Sequence, residues 1–173
     1  MDSINRNQPE QNHKDLAGPE AISKIREIVG RSSTCFFCTA SGASRPMSVR
    51  EVDDAGNLWF LSARDSHKNK ELASDADVRL FFQGSPHSDF LDLSGEARVM
   101  EDRAKIKELW SPLIKTWFTE GVDDPRITVI RFIPSEGYYW DNKHGNAIAG
   151  VKMLIGAALG KTLDDSIEGT VRV

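Results

Sequence analysis

Polar and hydrophobic positions change their spacing along the chain, and each change marks an element. The first eighteen residues, MDSINRNQPEQNHKDLAG, are polar and hold almost nothing to bury, which predicts a disordered arm. Pro19 suits the first turn of a helix, and Ile22, Ile25, Ile28 and Val29 then lay one apolar stripe along it, with an end near Gly30. From there the pattern becomes short strands: TCFFCTA, RPMSVREV, NLWFLS, VRLFF, FLDLSGEARVM, ITVIRFI and GYYWD. Turn clusters such as SGAS, DDAGN and SEG separate several of them. Helical stretches interrupt at 66–74 and at about 101–118, the second opening on acidic residues. Six or seven strands with few helices predict a mainly β (α+β) domain, an antiparallel barrel rather than a doubly wound parallel sheet. The expected division is an arm at 1–18, the domain at 19–160 and a tail at 161–173. Near the end, VKMLIGAALGK reads as a helix packed on the barrel or on a second subunit, an assignment its glycines weaken.

At 173 residues and 39% hydrophobic, the chain can close one core without disulfide or metal staples. A formal charge of -4 argues against nucleic acid or an anionic membrane as partner, while leaving room for a local positive pocket. AIAGVKMLIGAALG is too short and too interrupted to span a bilayer, and no basic stretch followed by an apolar run opens the chain. The expected location is cytoplasmic. Cys35 and Cys38 form a CxxC, but within an apolar strand residues three apart face opposite sides. Two packed thiols are therefore expected rather than a zinc or redox site.

The stretch LSARDSHKNKEL is the main candidate for chemistry. A strand ends, and a helix begins near Ser66 with backbone amides that lack intrahelical acceptors, a setting that attracts anions. Ser62, Ser66 and His67 add donors, and Lys68 adds a full charge within the same turn, so the group reads as a phosphate seat. On this stretch alone the favoured reading is an ordinary N-cap, Asp65 or Ser66, followed by a solvated lysine face. A helix terminus contributes only about 0.3–1 kcal/mol to an exposed anion and a charged hydrogen bond about 1.5–3. Association costs about 4–15 kcal/mol, so a tightly held ligand must also bury a large apolar part. The RPMSVR strand and Trp59, Phe60, Trp117, Tyr138, Tyr139 and Trp140 are candidates to cover it, with core packing as the alternative for each.

SRPMSVREVDDAGNLWFLSARDSHKNKELASDADVRLFF resembles the first half of the pyridoxamine 5'-phosphate oxidase-like FMN-binding split barrels. Its RPM strand and LWFLSARDSHK are most similar to their general stress protein branch. The resemblance runs from about residue 20 to 160 and is strongest between 36 and 82. It implies an antiparallel split β-barrel with a few flanking helices, FMN as cofactor with FAD as the alternative, and a homodimer with the flavin at its interface. In the family, a strand with a basic residue, an apolar one two further on, and a second basic residue three beyond that runs beneath the flavin. The similar positions here are Arg45, Met47 and Arg50, with Ser48 and Val49 between them. The family phosphate motif implies that Ser62, Ser66, His67 and Lys68 hold the FMN phosphate, approached along the strand by Phe60 and Leu61. Trp140 matches the aromatic supplied by the second subunit, and Trp117 is a second candidate.

Two departures from the family pattern matter. His67 replaces an arginine, losing the bidentate fork of a guanidinium. The oxidases follow their C-terminal tryptophan with arginine, histidine and arginine to grip pyridoxamine phosphate, whereas DNKHGNAIAG follows Trp140 and no arginine comes before Arg172. Without those groups a second phosphate forfeits several charge-assisted bonds, so vitamin B6 oxidation is the least expected activity. The flavin-facing glutamine of the oxidases also lacks a clear match, Gln83 lying too close to the preceding strand. Two classes then remain: a flavin-dependent oxidoreductase acting on a small substrate or nicotinamide donor, which is preferred, and a flavin-binding stress or sensor protein without catalysis.

Overall fold

The structure is a computed structural model that describes residues 11–86, 88–143, 152, 154–155 and 165–173. The first helix, α1 (Pro19–Arg31), opens with Pro19 and buries Ala21, Ile25, Ile28 and Val29 against the sheet. It runs one residue past Gly30 and stops where Ser32 N donates to Ile28 O. Strand β2 (Thr34–Thr39) alternates strictly, with Cys35, Phe37 and Thr39 inward and Phe36 outward. Cys35 and Cys38 accordingly sit on opposite faces.

The segment 45–52, expected as one strand, is broken. Strand β3 (Ser44–Ser48) pairs with β2, and β4 (Glu51–Val52) pairs with β5 (Leu58–Ala63). At the break Val49 N turns to Ser33 O at 2.8 Å and Arg50 N to Trp59 O at 2.7 Å, which passes the chain from one half of the barrel to the other. Helix α2 (His67–Ser74) follows, then β6 (Asp77–Gln83) and β7 (Phe90–Met100). The helix expected over 101–118 splits in two. Asp102 caps α3 (Arg103–Leu109), and a 3-10 turn (Pro112–Thr116) begins where Pro112 lacks the amide an α-helix would need.

ITVIRFI and GYYWD are not separate strands but one, β8 (Ile127–Asn142). The intervening SEG is no turn: Ser135 and Glu136 are simply exposed, and a Cβ on Gly137 would lie 2.1 Å from Asp92 O. A bulge at Ser94/Gly95 takes up the extra residue, and there a Cβ on Gly95 would meet Ile133 O at 2.1 Å. These glycines mark close strand approach.

The ends of the chain depart most from expectation. The tail expected at 161–173 contains β9 (Ser166–Arg172), which pairs antiparallel with β8. Within the arm expected to be disordered, β1 (Leu16–Ala17) runs parallel to β9, Leu16 is buried, and Tyr139 Oη donates to Lys14 O at 2.8 Å. Such ordering rests on backbone hydrogen bonds to a sheet edge and on Asp15, whose carboxylate accepts from Thr170 N and Oγ1, so it leaves almost no hydrophobic pattern. Residues 1–10, and the assignment of VKMLIGAALGK apart from Lys152, Leu154 and Ile155, lie outside the described residues.

The described strands form one nine-stranded sheet in the order β1-β9-β8-β7-β6-β2-β3, with β5 joining β4 to β8. Long β8 serves both halves, pairing with β5 through its first part and β9 through its last. This is the split barrel the sequence leads one to expect, with a parallel edge added. The main core gathers Ile25, Ile28, Phe37, Phe60, Leu80, Leu93, Phe132 and Tyr139. A second cluster, including Trp59, Ile106, Leu109, Ile114, Phe118 and Val129, lies under α3 and the 3-10 turn. Strand β5 is apolar at nearly every position because it feeds both: Leu58 and Phe60 enter the first, Trp59 and Leu61 the second. Among the described residues no helix is long and apolar enough to cross a membrane.

Candidate functional site

Both readings of the α2 N-terminus hold at once. Ser66 is the N-cap, and its hydroxyl accepts from Asn69 N. Ser62, buried at the end of β5, donates to Asn69 Oδ1 at 2.7 Å and lies 3.1 Å from Ser66 Oγ. Asn69 Nδ2 donates to Thr128 Oγ1 at 3.0 Å, and Thr128 Oγ1 donates to Ser62 O at 3.0 Å. This closed and buried network fixes the first turn of α2 to β5 and β8, leaving the His67 and Lys68 amides outside the intrahelical ladder. The two serines thus build the seat more than they line it.

The charge comes from the turn and from β3. Arg45 faces inward beside Phe37, and its Nη2 donates to both oxygens of Glu71 on α2, at 2.8 and 3.2 Å. Thr39 Oγ1 donates to Glu71 Oε2 at 2.6 Å. These bonds, Thr39 first and Arg45 after it, hold the Glu71 carboxyl below its ordinary value. The other terminal nitrogen of Arg45, Nη1, is buried and has no hydrogen-bond partner among the described residues. Lys68 is half-buried and makes no salt bridge among the described residues. Burial, then the Arg45 charge, push its ammonium below its ordinary value, against the pull of Glu71. The one carboxylate at this place is thus taken by Arg45, the Lys68 charge is left without an ion pair among the described residues, and a buried donor stays unspent. An orphaned guanidinium nitrogen is costly unless an acceptor arrives. A phosphate monoester supplies acceptors and the missing negative charge, so the residues present fit the phosphate of a flavin mononucleotide.

Other expected residues are dispersed. Met47 also faces inward and packs against the main core. Val49 is buried at the chain break. Phe60 is enclosed in the core in edge-to-face contact with Phe37, their centroids 5.5 Å apart, and Leu61 points to the second cluster. Arg50 is exposed and donates to Ser111 Oγ at 3.1 Å beside the 3-10 turn, apart from the contacts of Arg45. His67 is exposed at the first turn of α2, and Ser48 is exposed on the outer face of β3.

That outer face carries a groove of about 400 Å³ lined by Phe36, Pro46, Phe81, Gln83, Phe90 and Trp140, among others. Trp140 lies opposite Phe90 across β7 and β8, with its ring 4.5 Å from that of Tyr138. Trp140 and the phosphate seat thus flank β3 from opposite faces, since Pro46 points outward between Arg45 and Met47. Trp117 is exposed at the end of the 3-10 turn.

The residues not anticipated are Thr39, Glu71, Asn69 and Thr128. Each had a faint signal. Thr39 and Thr128 are polar at inward positions of alternating strands, Asn69 stands at the third helical position after a serine cap, and Glu71 follows Lys68 by three residues on the same helix face.

A sequence model of the family described as pyridoxamine 5'-phosphate oxidase like matches residues 20–164. Protein bli-3 of Neurospora crassa is 31% identical over 131 residues, 70% of this chain, and the match spans 61% of that protein's length. The structure described as a general stress protein 26 from Jannaschia sp. CCS1 superposes with a TM-score of 0.77 at 22% identity, over 87% of this chain and 97% of that one. The general stress FMN/FAD binding protein from Xanthomonas citri superposes with a TM-score of 0.61 at 23% identity, over 69% of this chain and 87% of that one. These two likenesses are of fold.

Proposed function

The chain belongs to the pyridoxamine 5'-phosphate oxidase-like family, and from that premise we propose that it binds FMN and works as a flavin-dependent oxidoreductase on a small molecule. The observation that carries the proposal is the buried Arg45 Nη1, without a hydrogen-bond partner among the described residues, whose guanidinium charge is felt by Lys68 at the start of α2. Arg45 and Lys68 hold the phosphate, joined by the His67 and Lys68 amides and by the imidazole of His67. Their part is to bind and orient: two fixed cations at one end set where the rest of the ligand lies along β3. A flavin supplies hydride and single-electron transfer when bound, so the protein's share is position, electrostatics and exclusion of water. The fold relative from Xanthomonas citri, described as FMN/FAD binding, supports the same ligand class.

The functional unit is a homodimer meeting on the outer face of the sheet. Phe36 is 59% exposed there, Trp140 41% and Phe81 39%, an apolar surface that a monomer would leave in water. Pyridoxamine phosphate is not the substrate. Directly after Trp140, where the oxidases place arginine, the chain has Asp141, whose buried carboxylate accepts from Lys24 and Arg31. With that carboxylate spent on two cations and no arginine beside it, a second phosphate finds no charge-assisted partner there.

The test is an absorption spectrum of the purified protein with FMN added, followed by NADPH under air. A perturbed flavin band with FMN-dependent NADPH consumption is the expected result. An unperturbed band would contradict binding, and a perturbed band that neither NADPH nor NADH bleaches under nitrogen would contradict nicotinamide-driven oxidoreduction.

A further inference from the structure

Glu71 lies within the seat and opposes its charge. It is placed by two elements at once, since Thr39 of β2 donates to one oxygen at 2.6 Å while Arg45 of β3 donates to both. Arg45 arrives from an edge strand on a long flexible stem, so its direction is set by what its guanidinium meets. The Glu71 carboxylate engages Nη2 alone, which leaves Nη1 buried and uncommitted. We infer that Glu71, locked by Thr39, is a positioning residue that presents Arg45 Nη1 to the ligand's phosphate and holds the seat's net charge at about one positive unit.

The inference rests on the reading that Arg45 and Lys68 hold a phosphate. It adds a separable claim, because the two duties of Glu71 respond oppositely to substitution. Glu71→Gln keeps the anchor: its amide oxygen in the place of Oε2 accepts from Thr39 Oγ1 and Arg45 Nη2 together, as Oε2 does. It removes the opposing charge and the longer Arg45 contact to Oε1. Glu71→Ala removes the anchor as well, and Arg45 loses its fixed direction.

Titration of the full-length protein with FMN and, in parallel, with riboflavin, which lacks the phosphate, distinguishes the outcomes. Glu71→Ala should weaken FMN by at least about tenfold, the scale of one charge-assisted hydrogen bond, while riboflavin affinity stays as in the native protein. Glu71→Gln should bind FMN at least as tightly as native. Rescue by glutamine is a result that general damage to the fold would not give. Should Glu71→Ala fail to fold, Thr39→Val replaces the same lock with an isosteric side chain and should weaken FMN several-fold. Native FMN affinity in Glu71→Ala, or in Thr39→Val where that serves, would overturn the role of Glu71 alone. Native protein that takes FMN and riboflavin equally would overturn the seat itself, and the role of Glu71 with it.

Discussion

Arg45 has two terminal nitrogens with different fates: Nη2 is spent on Glu71, and Nη1 is buried with no partner among the described residues. Lys68 stands nearby with its ammonium destabilised by burial and by that same guanidinium. A ligand phosphate relieves both costs, so Lys68→Ala should weaken FMN binding by at least about 1.5 kcal/mol, the lower end for a charged hydrogen bond. An unchanged FMN titration would remove Lys68 from the seat. The two cysteines differ in the same local way. Burial, and to a smaller degree its neighbour Cys38, push the Cys35 thiol up to about 12, while Cys38 is half-buried on the other face. In folded protein at pH 8, a disulfide reagent should therefore modify Cys38 and leave Cys35 untouched until the chain unfolds. Equal rates at both would contradict the opposite-face placement. At this scale the start of α2 is legible, because helix N-termini announce themselves with hydroxyl and basic residues. Glu71 and Thr39 leave only a faint trace, since an ion pair between strand and helix has no spacing of its own to read.

Elements were legible where burial is one-sided, and less so elsewhere. Strand β2 shows its alternation and α1 its stripe, so both stand where the pattern puts them. Within β8, Ser135, Glu136 and Gly137 imitate a turn, although two are exposed strand positions and the third a close backbone approach. Strands β1 and β9 were missed because their order depends on backbone bonding at distant positions. Ionic contacts act at two places, one between elements and one within a loop. Arg31 at the end of α1 reaches Asp89, before β7, and Asp141 of β8, both buried. Arg31→Ala leaves Asp89 without that partner and should cost about 1.5–3 kcal/mol in urea unfolding; a change below about 0.5 would contradict the anchor. Ahead of β8, Arg126 bonds hold the Asp124 carboxyl down to about 2. An unfolded aspartate titrates near about 3.9, so this contribution is full above about pH 4 and is lost as pH falls towards about 2. Asp124→Asn should flatten the stability decline across that window, and an unchanged acid limb in the variant would contradict it.

As a whole, the sheet has two unlike faces. Arg45 on the inner face and Lys68 on α2 carry charge, while the outer face carries Phe36, Phe81 and Trp140. An apolar outer face of this kind calls for a partner copy, so the protein should sediment as a dimer, and Phe36→Asp should shift it towards monomer. Native protein that sediments as a monomer would contradict the partner copy. The barrel was legible from the run of short strands and the family likeness, and the expected flavin residues lie along β3, β5 and α2. What the spacing could not tell is that Arg45 and Arg50 separate, one to Glu71 and the other to Ser111, because the chain crosses between the barrel halves at Val49. The proposal depends most on the phosphate seat, and comparing native affinities for FMN and riboflavin tests it most directly. Two charged partners should give FMN an advantage of at least about 100-fold. Equal affinities for the two flavins would contradict the seat of Arg45 and Lys68.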